Sequence, residues 1–334
     1  MADNVKPFGT RRDGREVQAI TLDNGTLRAT VLTHGAVLQS LRLKDVAHNL
    51  TLGFPDLASY DGKFPHFGSV IAPVANRIGG AQAVIDGETC HFSQDIKGVT
   101  LHSGPTSSQH DVWTLGDHGP DFVTLTLDLA DGRGGFPGNR HLSVTYRLKG
   151  DTLHLDIMAT SDRETLMNIA HHGYWNLDGT ETWADHSLRL DADNVLAVDP
   201  EVILPTGDLV PLDDHPFDFR EARRIAPGDI PELDHNFCLA PARRGLTPVL
   251  ALTGSGGVTM EISTTEPGVQ IFGAGTIDTG DTPSLHGHSY GRHCGIAIEP
   301  QAWPDAPNHA GFPSITLSPG ATYHQVTTFR FTRG

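Results

Sequence analysis

Apolar and polar side chains alternate along much of this chain with a period of two. Val123, Leu125, Leu127 and Leu129 are separated by Thr124, Thr126 and Asp128. Leu142, Val144, Tyr146 and Leu148 repeat the pattern. Beyond a Lys149-Gly150-Asp151 turn, Leu153, Leu155 and Ile157 continue it. Successive side chains of an extended strand point to opposite faces, so this period predicts strands with one face buried and the other in water or a cleft. Residues 20–31 read as two further runs around Asn24-Gly25, a dipeptide that supplies the positive φ angles of a two-residue hairpin turn. The 37 glycines and 22 prolines are scattered, which punctuates strands and disfavours long helices. No helical period, heptad or low-complexity linker is present. The one helical expectation is a short turn of helix at Phe219–Arg224, within the Pro-, Asp- and Arg-rich stretch 213–229.

One strand breaks the apolar rule. Gly295-Ile296-Ala297-Ile298 reads as a buried run, ended by Pro300, Trp303 and Pro304, and it carries Glu299. A lone buried carboxylate costs several kcal/mol. It is therefore paired, poised as a base with a raised pKa, or turned out to water at the strand end. Other polar clusters sit at the ends of apolar runs or in turns. They are Asn76-Arg77-Ile78 after Ser69–Ala72, Leu101-His102-Ser103-Gly104, and Asn168–Leu177 with its adjacent His171 and His172. Leu233-Asp234-His235-Asn236-Phe237 and Pro267-Gly268-Val269-Gln270 complete the set. Together they offer a base, imidazoles, a guanidinium and hydrogen-bonding carboxyl or amide groups. No nucleophilic Ser or Cys sits in a recognisable elbow, and no glycine-rich phosphate loop occurs.

Composition narrows the partners. Lys and Arg number 24 against 40 Asp and Glu, a net charge of −16. That balance argues against nucleic acid or an anionic membrane and suits a neutral small molecule. Cys90, Cys238 and Cys294 are widely spaced without a C-x-x-C, which disfavours a zinc or redox motif and suits a reducing cytoplasm. The first ten residues show no signal peptide, and no apolar run reaches transmembrane length.

The ordered set of short strings resembles the aldose 1-epimerases, also called galactose mutarotases, from about Leu22 to Phe331. N-R-I at 76–78, L-H-S-G at 101–104, D-G-R-G-G-F-P-G-N at 131–139 and N-I-A-H-H-G-Y-W-N-L at 168–177 carry the resemblance. L-D-H-N-F at 233–237, P-G-V-Q at 267–270 and E-P-Q-A-W-P-D-A-P-N at 299–308 continue it. The resemblance implies one domain over residues 1–334, an all-β antiparallel sandwich with a concave sugar groove. It implies exchange of α and β anomers of a free hexose or pentose by ring opening, rotation and reclosure, without metal or other cofactor.

By resemblance Glu299 is the general base and His172 the general acid, while Asn76, Arg77, His102, Asp234 and Gln270 bind hydroxyls. A free His titrates near neutral pH, as an acid here requires. His171, next to His172 on a strand, points the other way and is structural. Trp175, Phe272 and Trp303 are candidates for stacking on the sugar, with core packing expected for at least two. Three departures border the groove: Ala72-Pro73 where Gly-Arg is usual, Ser103 for a glycine, and a short 105–110 loop. A sugar-phosphate mutarotase or a non-catalytic carbohydrate-binding protein are the alternatives; the first would need more Arg or Lys, the second need not keep both Glu299 and His172. A metal at His171-His172 or around His286, His288 and His293 is disfavoured, because no closed ligand spacing appears. Monomer and homodimer are both compatible with the chain.

Overall fold

The alternating runs become strands where the period places them. In the computed structural model, which describes residues 4–94, 96 and 98–334, Phe122–Leu129, Arg140–Lys149 and Thr152–Ser161 are consecutive antiparallel neighbours. Leu125, Val144 and Ile157 fall in one cross-strand row, so their apolar faces register together. These strands belong to a nine-stranded sheet that continues through Tyr323–Arg333, Val258–Thr264 and Thr247–Thr253.

A second, six-stranded sheet runs in the order Tyr174–Trp175, Ile296–Gln301, Gly268–Phe272, Asp234–Cys238, Asn194–Asp199, Leu204–Pro211. Four N-terminal strands between Val5 and Leu43 form a third. The main core joins all three: Leu125, Val144 and Ile157 meet Val269, Ile271, Ile296 and Ile298, and Ile20, Ala29 and Val31 close one side. The architecture is an antiparallel β-sandwich. Each fully buried Val, Leu or Ile contributes about 1.5–3 kcal/mol, which fixes which face of each strand is inside.

Three local expectations are corrected. Residues 219–224 are not helical; Arg223–Arg224 pairs as a strand with Ser187 and Leu188. Phe217 and Phe219 both enter the core, a period of two that holds this stretch extended. At Asn24-Gly25 only Gly25 has positive φ. The Asn24 side-chain oxygen accepts from the amides of Thr26 and Leu27, so the turn is wider than two residues. The Glu299 strand also outlasts Pro300, pairing through Gln301 with Gly268.

Glycine matters most at Gly68, in the turn between His66 and the short Val70–Ile71 strand. Its φ is +71°, and a Cβ there would lie 2.4 Å from the Leu38 carbonyl oxygen. Its N–H donates to the His172 carbonyl and its own carbonyl accepts from Leu38. Gly68→Ala should therefore lower stability by roughly 2–4 kcal/mol, seen as a fall in the thermal midpoint.

Candidate functional site

The groove is built on the face of the six-stranded sheet turned away from the main core. Along Ile296–Gln301, Ile296 and Ile298 enter that core, so Ala297, Glu299 and Gln301 face the other way. In Gly268–Phe272, Val269 and Ile271 are inside, leaving Gln270 and Phe272 on the groove side. In Asp234–Cys238, Phe237 is inside, leaving Asp234 and Asn236. The register then aligns Asn236, Gln270 and Glu299 in one row across three strands. The next row holds Asp234, Phe272, Ala297 and Tyr174. Gln270 Nε2 donates to Asp234 Oδ1 at 2.6 Å, tying the rows together.

His172 arrives from the segment before Tyr174. Its N–H donates to the Ser69 carbonyl, and its carbonyl accepts from Gly68. His171 and His172 part as expected: His171 packs against Tyr146 and Phe329 of the nine-stranded sheet. Burial there holds the His171 imidazole down to about 4. His172 faces the groove, with Nε2 3.5 Å from Glu299 Oε1. These two side chains are 4 % and 2 % exposed as residues. Glu299 Oε2 finds no hydrogen-bond partner among the described residues.

The proton affinities follow from that burial. Glu299 is raised well above the usual carboxylate value by desolvation, then by the nearby Asp234 charge, with Arg77 opposing. His172 is lowered well below the usual imidazole value, first by desolvation and then by His66. The expectation that His172 titrates near neutral pH is thus corrected: its burial penalises the imidazolium. Burial thus favours the neutral form of each group, and the single proton of so close a pair belongs to both together.

His102 has a fixed tautomer. Its ring Nδ1 accepts from the Asn76 backbone N–H at 3.0 Å, and the His102 backbone N–H donates to the Asn76 carbonyl. The neutral ring therefore carries its proton on Nε2 and is a donor. Asn76, with φ of +61°, uses its side-chain oxygen on the Arg77 N–H. Its observed contacts hold His102 and start the Arg77–Gly79 strand. Ser103, also at positive φ, both accepts from and donates to Val74 through its hydroxyl. Arg77 acts electrostatically on Asp234, Glu299 and His102. Asp234 is raised by burial, against the pull of Arg77 and the Gln270 hydrogen bond. All seven predicted site residues thus converge.

Of the stacking candidates, Trp175 lies wholly in the core, and Trp303 is buried against Phe312 with its N–H on the Pro267 carbonyl. Phe272 faces the groove. Sequence reading missed the groove roles of Tyr174 and Asn236, although both share strand parity with assigned residues. It also missed His66, whose ring lies 5.0 Å from that of His102 and 5.5 Å from that of His172.

Donor atoms of His102, His172 and Glu299 lie within 4.8 Å of one another, a possible metal set that the sequence reading did not foresee. The tautomer argues against it. His102 Nδ1 is occupied by an amide proton and Nε2 carries the ring proton, whereas a ligating His donates its second N–H outward. In the other candidate cluster both ring nitrogens of His286 are engaged, by Tyr290 and Asn49, and His293 pairs with Glu232.

A sequence model of the family described as Aldose 1-epimerase matches residues 18–330. The chain belongs to the aldose 1-epimerase family. It is an isomerase of that type, which interconverts the α and β anomers of a free aldose. Human galactose mutarotase is 32% identical over 329 residues, covering 95% of each chain. An aldose 1-epimerase of Haemophilus influenzae is 33% identical, covering 96% of this chain and 97% of its own. Among solved structures, an aldose epimerase homologue from C. elegans superposes with a TM-score of 0.88 at 28% identity, over 94% of this chain and 98% of that one. A galactose 1-epimerase from Lactobacillus acidophilus gives 0.86 at 26%, over 99% and 98%.

Proposed function

We propose that anomer exchange runs on the Glu299–His172 pair, Glu299 as base toward the anomeric hydroxyl and His172 as acid toward the ring oxygen. The observation that carries this reading is the buried 3.5 Å contact between the two groups beside a face of polar side chains. The base removes the O1 proton as the acid protonates the ring oxygen, and the ring opens to the aldehyde. Rotation about C1–C2 presents the other carbonyl face, and reclosure returns both protons. Arg77, Asp234 and Gln270 hold hydroxyls, His102 donates through Nε2, and Asn76 keeps His102 in place. One domain carries the whole site.

The substrate is a free sugar in this reading. The rows on the groove face bring Asp234, Asn236, Gln270 and Glu299 together without Lys or Arg among them, and Arg77 joins from the side; a sugar phosphate would ask for more cations. The names of the relatives support galactose and, more broadly, an aldose. The three unpaired cysteines support a reducing, cytoplasmic setting; a role in hexose metabolism, as monomer or homodimer, completes the reading. No helix among the described residues is long and apolar enough to cross a membrane.

Polarimetry tests the reading. Fresh α-D-galactose, α-D-glucose and pentoses should equilibrate faster with the protein, and dialysis against EDTA should leave the rate unchanged. Unaltered decay across the panel would refute it, and loss with EDTA would restore the metal alternative.

A further inference from the structure

His66 belongs to none of the motifs above, yet its ring completes a triangle of imidazoles. The three centroid separations, to His102, to His172 and between those two, are 5.0, 5.5 and 5.3 Å. His66 and His172 are stacked, with 27° between their planes. The placement is fixed from both sides. The turn carrying His66 is bound to the His172 segment through Gly68 N–H to the His172 carbonyl and His172 N–H to the Ser69 carbonyl. His66 Nδ1 lies 2.9 Å from the side-chain oxygen of buried Gln109, so Nδ1 donates. The Nδ1 contact and the stacking put the His66 ring, with whatever charge it carries, against the face of His172.

We propose that His66 is a positioning residue for the proton-transfer pair. Its ring holds the His172 imidazole toward Glu299, and its positive charge, when present, keeps a second proton off His172. The proposal rests on the assignment of Glu299 and His172 above. It is consistent with His66 lowering both His172 and His102.

Other charges act on the same space. Glu299 and Asp234 come from the six-stranded sheet, Arg77 from its short strand, His102 from the following loop, and His110 from beside Gln109. His171 lies on the far face of the His172 segment, and Tyr174 lies two residues on. On the His66 side, Asp61 is paired with Arg11, and Lys63 is exposed. Replacing His66 leaves all of these residues in place, although His102, which His66 also lowers, should rise along with His172.

Two uncharged variants separate orientation from charge: His66→Phe keeps a ring, and His66→Gln keeps a hydrogen-bonding group near Gln109. Polarimetric kcat and KM are measured from acid to alkaline pH, with folding checked by circular dichroism. The proton-transfer pair works with one proton, so its acid limb marks gain of a second. Without the charge at 66 that proton adds more easily, and the acid limb should move up by about one pH unit in both variants. Near-neutral kcat should fall by less than about tenfold in His66→Phe and more in His66→Gln, with KM changed little. A folded variant whose acid limb coincides with that of the parent, or moves down, overturns the proposal. His172→Asn is the control: parental kcat there removes the pair itself, whereas an inactive control with an unmoved limb in the His66 variants removes only the role of His66.

Discussion

Glu299→Gln should lower kcat by about 10²–10⁴-fold, roughly 3–5 kcal/mol of barrier, with little change in KM. Glutamine keeps the length and shape of the side chain but cannot accept a proton from the anomeric hydroxyl. It can still donate and accept hydrogen bonds in the row with Gln270 and Asn236, so sugar binding should persist. The loss therefore belongs in kcat. The change also removes a buried carboxyl whose ionisation the fold resists, so the thermal midpoint at neutral pH should not fall. Near-normal kcat in a folded variant would take the base away from Glu299.

His172→Asn should lower kcat by a similar factor, about 10²–10⁴, and should also change the pH profile. In the parent enzyme the pair works with one proton. Burial lowers His172, so the second proton is refused at pH values where a free imidazole would take it; burial raises Glu299, so the last proton is held to higher pH than an ordinary carboxyl would hold it. The parent profile should be a broad plateau through neutral pH, and its limbs belong to the coupled pair. In the variant only Glu299 titrates, and residual activity should climb with pH as that carboxyl becomes a free base. Rates from polarimetry at saturating sugar distinguish a plateau from a slope. A plateau at parental height would transfer the acid role elsewhere, and His102, locked as a donor, would be the next choice.

Strands and their buried faces were legible because period-two alternation is a local property of the chain. That Leu125, Val144 and Ile157 all lie on a buried face needed only parity to predict; their alignment in one row is set by the pairing. The same parity makes Glu299 visible as a misfit between Ile298 and Pro300, and it separates His171 from His172. The 219–224 segment misled because Glu221 and Ala222 favour helix locally, while Phe217 and Phe219 are claimed by the core through contacts distant in sequence. The affinity of His172 was illegible for a related reason: burial is set by neighbours such as His66 and His102, which lie far from it in the chain. The His102 tautomer depends on one amide of Asn76, 26 residues away. Its role as a fixed donor therefore emerges only in three dimensions.

The depth of the Glu299–His172 pair has a consequence for the economy of protons in the cycle. Opening the ring moves one proton onto the carboxylate and another off the imidazolium. Closing it on the other face sends each back to the atom it left, so a complete turn exchanges nothing with bulk solvent. A hydrolase built this way would starve, because water is its second reactant and must reach the bond. An anomer exchange has no second reactant. The site can therefore shut its two working groups away from water and still begin each turnover in the state in which the last one ended.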